Sequence, residues 1–326
     1  MRFARRRFLQ LAAGVATLPA MPPVARAQSY PSRPVRFIVG FAPGGGGDLA
    51  TRLMGQWLSE RFGQQFVVEN RVGASSNLAT EAVVRAPADG YTLLQLNVAN
   101  TINATLYDNL KFNVQTDLLP VASFMRVPNV MEVGPSFPLK TVPEFIAYAR
   151  ANPGKISFAS SGVGTTLHMS GELFKAMAGV DLLHVPYRGL GAGGYADVMT
   201  GKVDVTFDNL SSSIELVRGG KLRALAVTST APSEALPGVP TVAEFLPGYE
   251  ASAWYGIGAP VGTPVEIIAK INKELNAAFA DPRMTARIAD LGGTPLPGSP
   301  ADFGRLIAAE IAKWAKVAKV AGIKAE

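Results

Sequence analysis

The stretch Arg36-Phe-Ile-Val-Gly-Phe-Ala-Pro-Gly-Gly-Gly-Gly-Asp48 decides how the rest of the chain is read. An apolar, β-prone run, Phe37-Ile38-Val39, leads into four consecutive glycines, Gly44 to Gly47. Asp48 follows, and Leu49, Leu53, Trp57 and Leu58 then recur at helical spacing. The pattern predicts a strand, a bare loop and a helix, with Asp48 placed to act as N-cap. Such a turn aims unpaired backbone N–H groups and the positive end of a helix dipole at one point, which favours an anion. The chain does this again at Ile156-Ser-Phe-Ala-Ser-Ser-Gly-Val-Gly-Thr-Thr-Leu-His168. Two such cradles in two halves of one chain point to a carboxylate held in a cleft between them.

Around the first cradle the chain alternates strand and helix signals. Phe66-Val-Val-Glu69 is a short strand, and the small-residue loop Asn70–Asn77 runs into a helix with Leu78, Ala82 and Val83 on one face. Asp89-Gly90 turns the chain into Tyr91-Thr-Leu-Leu-Gln-Leu96, a buried-type strand that ends in the polar loop Asn97-Val-Ala-Asn-Thr-Ile-Asn103. This is the rhythm of a parallel sheet covered by helices, an α/β fold. Thr116–Phe124 and Val130–Val133 are expected as two strands of a crossing region. After the second cradle come the strand Leu182–Val185, the turn Pro186-Tyr187-Arg-Gly, the strand Val203–Phe207 ending at Asp208-Asn209, and the strand Leu222–Val227. Glycine and proline dominate from Pro232 to Pro264. Ile268, Ile271, Leu275 and Phe279, and later Phe303, Ile307, Ile311, Trp314 and Ala318, mark two amphipathic closing helices.

The 326 residues suit two domains with proper cores. A composition of 17% charged and 48% hydrophobic residues excludes global disorder. The net charge of +6 misleads, because residues 1–27 hold five of the 31 basic residues and no acid. The remainder carries 26 basic against 25 acidic groups and no basic stripe, so nucleic-acid binding loses its support. Arg5-Arg6-Arg7-Phe8-Leu9 before the short apolar run Leu11–Ala20, with Ala25-Arg26-Ala27 as a small-x-small site, reads as an export signal of twin-arginine type cleaved after Ala27. The run is shorter than the ~20 residues a membrane span needs. The expected location is the periplasm. With no cysteine, thiol nucleophiles, thiolate metal sites and iron–sulfur clusters are excluded.

Other chemistries find less support. A P-loop needs Gly-Lys-Ser/Thr, but Asp48-Leu49-Ala50 follows Gly47; the dinucleotide fingerprint would need Ala50 in place of its third glycine. No nucleotide or other cofactor is expected, and no His/Asp/Glu cluster has metal-ligand spacing. A hydrolase would use Ser160 or Ser161 as nucleophile, His168 or His184 as base and Asp208 as orienter, but Gly-x-Ser-x-Gly is absent around both serines. Asp208, at a strand's C-terminal end where α/β sheets bind ligands, either contacts a ligand or serves as a turn residue. Tyr187 either closes over a ligand or packs. Asp48 is read as a cap, since its charge would repel an anionic ligand.

Together the motifs resemble the Bug-type periplasmic solute receptors of tripartite tricarboxylate transporters. The carriers are Phe41-Ala-Pro-Gly-Gly-Gly-Gly-Asp48, Ala88-Asp-Gly-Tyr-Thr-Leu-Leu94 and Ala159-Ser-Ser-Gly-Val-Gly-Thr-Thr-Leu-His168. His184-Val-Pro-Tyr-Arg-Gly189, Asp204-Val-Thr-Phe-Asp-Asn209 and Gly220-Lys-Leu-Arg-Ala-Leu-Ala-Val227 complete the set, over nearly the whole chain beyond residue 27. The resemblance implies a non-enzymatic two-domain clamp similar to type II periplasmic binding proteins, with the ligand cleft between the domains. The domains are expected over 28–127 and 128–250, with 251–326 returning to the first. A small carboxylate (di- or tricarboxylate, aromatic acid or acidic amino acid) would be gripped mainly by backbone amides and waters. The implied ligand-binding residues are Phe41, Pro43, Gly44, Gly45 and Asp48 in the first loop and Asn97 after the third strand. In the second half they are Ser160, Ser161, Gly162, Gly164, Thr165, Thr166, Tyr187 and Asp208. Membrane permease subunits are the implied partners of a monomer, with a ligand sensor for a membrane signalling partner as the alternative. Gly47, where many members carry Thr or Ser, and Asn100-Thr-Ile-Asn103, which lacks the histidine many have, depart from the pattern beside the expected cleft.

Overall fold

Strand β1 (Val35–Val39) begins the sheet because its alternate side chains are apolar and buried; Val35, Phe37 and Val39 have no exposed surface. The computed structural model describes residues 30–107 and 109–323, so the expected export segment over 1–27 lies outside the described residues. After β1 the chain forms α1 (Gly46–Phe62), β2 (Phe66–Asn70), α2 (Asn77–Val84), β3 (Thr92–Asn97) and α3 (Val98–Leu106). The long strand β4 (Leu118–Val133) leads to α4 (Val142–Ala151), β5 (Ile156–Ser160), α5 (Thr166–Ala178) and β6 (Leu182–Pro186). Next come α6 (Gly194–Met199), β7 (Val205–Asn209), α7 (Leu210–Arg218) and β8 (Arg223–Val227). The chain ends with β9 (Ser252–Pro260), α8 (Val265–Ala278), α9 (Pro282–Asp290), β10 (Thr294–Pro295) and α10 (Pro300–Ala321).

The strands form one sheet in the order β2-β1-β3-β9-β4-β7-β5-β6, with β8 and β10 added alongside β4. On one wing β2, β1 and β3 are parallel, as the βαβ rhythm requires, and β9 closes onto β3 antiparallel. On the other wing β7, β5 and β6 are parallel. The 16 residues of β4 span about 50 Å and serve both wings. Leu118 to Pro128 pair with β9, and Asn129 to Val133 pair with β7.

Three elements differ from the sequence reading. The two strands expected around Pro120 and Pro128 are one strand. Proline supplies no N–H to a ladder, but Pro120 sits where the β9 register shifts, and Pro128 is the last residue paired to β9. The polar run Asn97–Asn103 is not a loop but the cap and first turns of α3. The side chain of Asn97 accepts from the Ala99 N–H, Asn100 accepts from the Asn97 N–H, and Val98, Ile102 and Leu106 are buried. Within the glycine- and proline-rich stretch 232–264 lies β9, all nine of whose residues are buried.

The glycines of β9 answer a packing demand. A Cβ on Gly256 would fall 2.3 Å from Phe303 Cζ and 2.7 Å from the carbonyl oxygen of Ala122. Phe303 comes from α10 and stands edge-on to Trp254 with ring centroids 5.5 Å apart. The same helix buries Trp314, whose Nε1 donates to Glu310, and its Lys313 pairs with Glu250. Gly256→Ala is therefore expected to destabilise the protein by about 1–3 kcal/mol, since the Ala122 carbonyl belongs to the paired strand and has nowhere to go. Urea unfolding of the variant beside the parent measures it.

Candidate functional site

The first glycine loop is held from behind. α1 starts at Gly46 with Gly45 as N-cap, so Asp48 lies inside the first turn and is not the cap expected from sequence. Its carboxylate still serves the turn. Oδ2 accepts from the Gly44 N–H at 2.9 Å and Oδ1 from Asn70 Nδ2 at 2.8 Å, while Arg52 pairs with both oxygens. Burial opposes the charge on Asp48, but Arg52, the Gly44 N–H and Asn70 outweigh it and hold the carboxyl below its ordinary value. Asn70 also donates to the Phe41 carbonyl at 2.9 Å. Pro43 and Gly44 are exposed, and Gly44 turns with φ +81°, a conformation that costs glycine little.

The second loop leaves β5 at Ser160 and enters α5 with Thr165 as N-cap. Ser160 Oγ lies 2.6 Å from His184 Nε2 and accepts from the Gly162 N–H at 3.1 Å. Thr165 Oγ1 donates to the Gly162 carbonyl at 2.7 Å and accepts from the His168 N–H. The ring of His184 stacks on Phe158 and lies tilted against His168, with centroids 4.8 and 4.2 Å away. Burial, and behind it the positive charge of Lys175, push His184 down to about 4. Burial, His184 and Lys175 push His168 down to about 3, so both rings are neutral at neutral pH.

The two wings meet across these loops. The Gly46 N–H donates to Ser212 Oγ of α7 at 2.8 Å, and a Cβ on Gly46 would fall 2.1 Å from Ser211 Oγ. In return Ser75 Oγ donates to the Val163 carbonyl at 2.6 Å, and a Cβ on Gly164 would fall 2.8 Å from Asn103 Oδ1. Ser75 belongs to a strained turn in which Ala74, Ser75 and Ser76 have φ of 45°, 48° and 78°. Asn103 Nδ2 holds that turn by donating to the Ser75 carbonyl at 2.7 Å and to Asn77 Oδ1. Between the loops Asn209 accepts from Tyr255 OH at 3.2 Å and donates to Asn129 Oδ1 and Thr166 Oγ1. The N-termini of α1, α5 and α7 thus converge, and each leaves backbone N–H groups without an intrahelical acceptor. Among the described residues the side chains bonded to the glycine loops' backbone are Asp48, Thr51, Asn70, Ser75, Ser160, Thr165, the neutral His168 and Ser212, none of them a cation. The arrangement suits an anion read by neutral donors.

Of the residues named from sequence, Gly162 and Gly164 lie against Ser75 and Asn103 of the other wing, Thr166 accepts from Asn209, and Gly45 and Thr165 are the N-caps of α1 and α5. Asn97 is buried, and its side chain serves the α3 cap and meets Gln95 Oε1 at 3.1 Å. Tyr187 is tied to the second loop through its N–H to the Ser160 carbonyl, but its hydroxyl donates to Asp197 at 2.6 Å. Burial and Asp197 push that phenol up to about 12. Asp208 is buried, with its oxygens taken by the Tyr195 hydroxyl at 2.5 Å and the Asn209 N–H rather than by a histidine. The Ser160–His184 pair of the hydrolase reading therefore forms without its orienter, and Ser160 has no exposed surface. Sequence reasoning missed Ser75, Asn103, Tyr255 and the Ser211-Ser212 pair. Only the last had a local signal, a serine run directly after the Asp208-Asn209 strand end.

Comparison with known proteins agrees with this geometry. The sequence profile described as tripartite tricarboxylate transporter family receptor matches residues 50–323. The solved structure of R. palustris Rpa4515 with adipate is 41% identical, with a TM-score of 0.87 over 90% of this chain and 99% of that one. The periplasmic binding protein BugD is 32% identical, with a TM-score of 0.85 over 91% and 100%. MatC (Rpa3494) from Rhodopseudomonas palustris with bound malate is 30% identical, with a TM-score of 0.83 over 88% and 99%. The fold is the two-domain α/β periplasmic binding protein fold. These relatives are binding proteins rather than enzymes.

The buried imidazoles set a pH dependence. Their folded values, about 3 and 4, lie below the ordinary 6.5 of an unfolded chain, which therefore binds more protons between. The stability they allow is complete above pH 6.5 and falls as the pH drops through that window, by at most about 1.4 kcal/mol per pH unit for each ring. Urea unfolding between pH 7 and pH 4.5 should show a shallower loss in His168→Gln than in the parent.

Proposed function

The chain belongs to the tripartite tricarboxylate transporter receptor family, and on that premise we propose that it captures a small carboxylate between its two glycine loops and hands it to membrane permease subunits. The observation that carries the reading is the seam itself, where Gly46 meets Ser212 and the N-termini of α1, α5 and α7 converge without a cation. A carboxylate offers about four lone-pair positions, and pre-aimed N–H and hydroxyl donors satisfy them at little reorganisation cost. The proposed contacts are those of the two loops, with Asn97, Tyr187 and Asp208 behind them. Relatives holding adipate and malate favour an aliphatic dicarboxylate within the class.

In this reading the domains run over 28–127 with 251–326, and over 128–250, and they hinge where the chain passes between the wings. Closure brings Ser75 onto Val163 and Gly46 onto Ser212, burying the ligand. The receptor works as a periplasmic monomer, exported by residues 1–27 with cleavage after Ala27.

Thermal unfolding against a panel of acids with matched amides tests the proposal. The panel spans adipate, malate, citrate, benzoate and glutamate. A ligand at a hundred times its Kd adds about 2.7 kcal/mol, an upward shift of several degrees. One acid should stabilise while its amide does not; silence across the panel, repeated on protein unfolded and refolded to strip any bound acid, would sink the reading. Gly46→Ala should weaken the stabilising acid by at least about tenfold, or 1.4 kcal/mol, because the new methyl meets Ser211 Oγ. Adding Ser211→Gly should restore part of the loss, and calorimetric Kd values for the two variants check both outcomes.

A further inference from the structure

Behind the seam lies a pair of buried acids, Asp208 and a second one, Glu132, that the anion-binding geometry does not account for. Val130 on β4 stands opposite Asp208 on β7, and Thr206 stands opposite Glu132. Glu132 and Asp208 therefore share one face of the sheet as diagonal neighbours, roughly 7–8 Å apart at their Cα atoms. Both are buried, Glu132 without any exposed surface. Ser213 of α7 donates to Glu132 Oε1, while Oε2 has no hydrogen-bond partner. Asp208 takes the Tyr195 hydroxyl on one oxygen and the Asn209 N–H on the other.

Two buried carboxylates on one face, with an oxygen left over, amount to a site short of positive charge. The ligand class that answers it is the smallest cation. We infer that this receptor loads its carboxylate together with a proton, held by the Glu132–Asp208 pair beneath the N-terminus of α7. The inference rests on the proposed capture of a carboxylate at the seam.

The titratable groups facing the pair are the Tyr195 phenol from α6 and the Tyr255 phenol from β9, with the neutral Ser213 hydroxyl from α7. Neither phenol carries positive charge, and among the described residues no lysine, arginine or histidine acts on either carboxylate. Burial, and then Asp208, raise Glu132 well above its ordinary value. Burial pushes Asp208 up to about 7 against its bonds to Tyr195 and Asn209. The pair therefore titrates as a unit across neutral pH, partly protonated when the cleft is empty.

An anion entering the seam arrives beside Asn209 and Ser212, one and four residues along the chain from Asp208. Its charge disfavours a second negative charge in the same low-dielectric region, so the pair fills its proton vacancy as the ligand binds. The balance is one carboxylate anion bound and up to one proton taken from solvent onto a carboxylate oxygen, with Glu132 Oε2 free to receive it. By linkage, affinity falls as pH rises above neutrality, approaching tenfold per pH unit once the empty pair is ionised.

The experiment is calorimetric titration of the whole protein with adipate, and separately malate, at pH 7.5 in buffers of different ionisation enthalpy. Both acids are fully ionised there, so a slope of enthalpy on buffer enthalpy counts protons taken up by the protein. A measurable fraction of one proton is expected, with Kd rising between pH 6.5 and pH 8.5. Infrared difference spectra of the unmodified protein should gain the carbonyl band of a protonated carboxyl on adding adipate. Glu132→Gln should bind at pH 6.5 but lose most of the uptake and the pH slope, because the carboxylate whose unpartnered Oε2 receives the proton is then gone.

Binding with no proton uptake and no such band overturns the inference and leaves carboxylate capture standing. Uptake that persists unchanged in a folded Glu132→Gln overturns it by moving the proton elsewhere. Failure of both acids, with the rest of the acid panel silent, overturns the capture reading and this inference with it.

Discussion

A single strand that belongs to both wings is the constraint on which the rest of this structure depends. β4 gives its first two-thirds to β9 and its last third to β7, so the sheet is continuous while its partners change between Pro128 and Asn129. Near that point the chain crosses back, with the Thr228 N–H donating to the Asn129 carbonyl and the Ala251 N–H to the Thr228 carbonyl. The C-terminal end of each parallel set faces the other wing as a consequence. Helices α1, α5 and α7 all start at those ends, so their N-termini have no choice but to converge.

Convergent helix ends need no arginine. A buried guanidinium would itself have to be desolvated and paired, and in an empty cleft it would cost more than neutral N–H donors do. The protein instead places its charges behind the loops. Asp48, Arg52 and Asn70 form a brace that fixes the first loop, while His184 and Ser160 fix the second through the Gly162 N–H. In the proposed reading backbone N–H groups and hydroxyls recognise the ligand, and these charged and amide side chains set how rigidly the loops are held.

How much of this the sequence disclosed follows from how local each signal is. The two strand–glycine–helix turns were legible because each is encoded within about a dozen neighbouring residues: an apolar run, glycines, then helical spacing. The parallel wings followed from the same rhythm. What stayed hidden is set by residues far apart in the chain. β9 was not legible in the sequence because it lies in a stretch dominated by glycine and proline, whereas in the fold Gly256 and Gly258 make room for Phe303 and Leu96. Strand β4 read as two, Thr116–Phe124 and Val130–Val133, with Pro128 in the gap between them, and nothing near Pro128 says that it falls where the partner strand changes. Asp48 read as a cap from its position alone; the helix starts two residues earlier because Gly45 takes the extended N-cap conformation. Ser75 and Asn103 carried no chemical motif, and their role exists only across the seam.

The glycines divide into two kinds, and the division explains why a glycine-rich loop here means more than flexibility. Gly44 has open space where a Cβ would stand, and its φ of +81° alone calls for glycine. Gly46 has an ordinary helical backbone and is limited instead by Ser211 and Tyr255 from across the seam. Gly164 meets both conditions, with φ of +78° and Asn103 Oδ1 2.8 Å from where a Cβ would stand. A run of glycines that served only to bend the chain would need φ freedom at each position and would carry no information about the opposite wing. Here Gly46 and Gly164 are glycine because side chains from the other wing need their space, so the sequence of each loop is shaped by what packs across the seam.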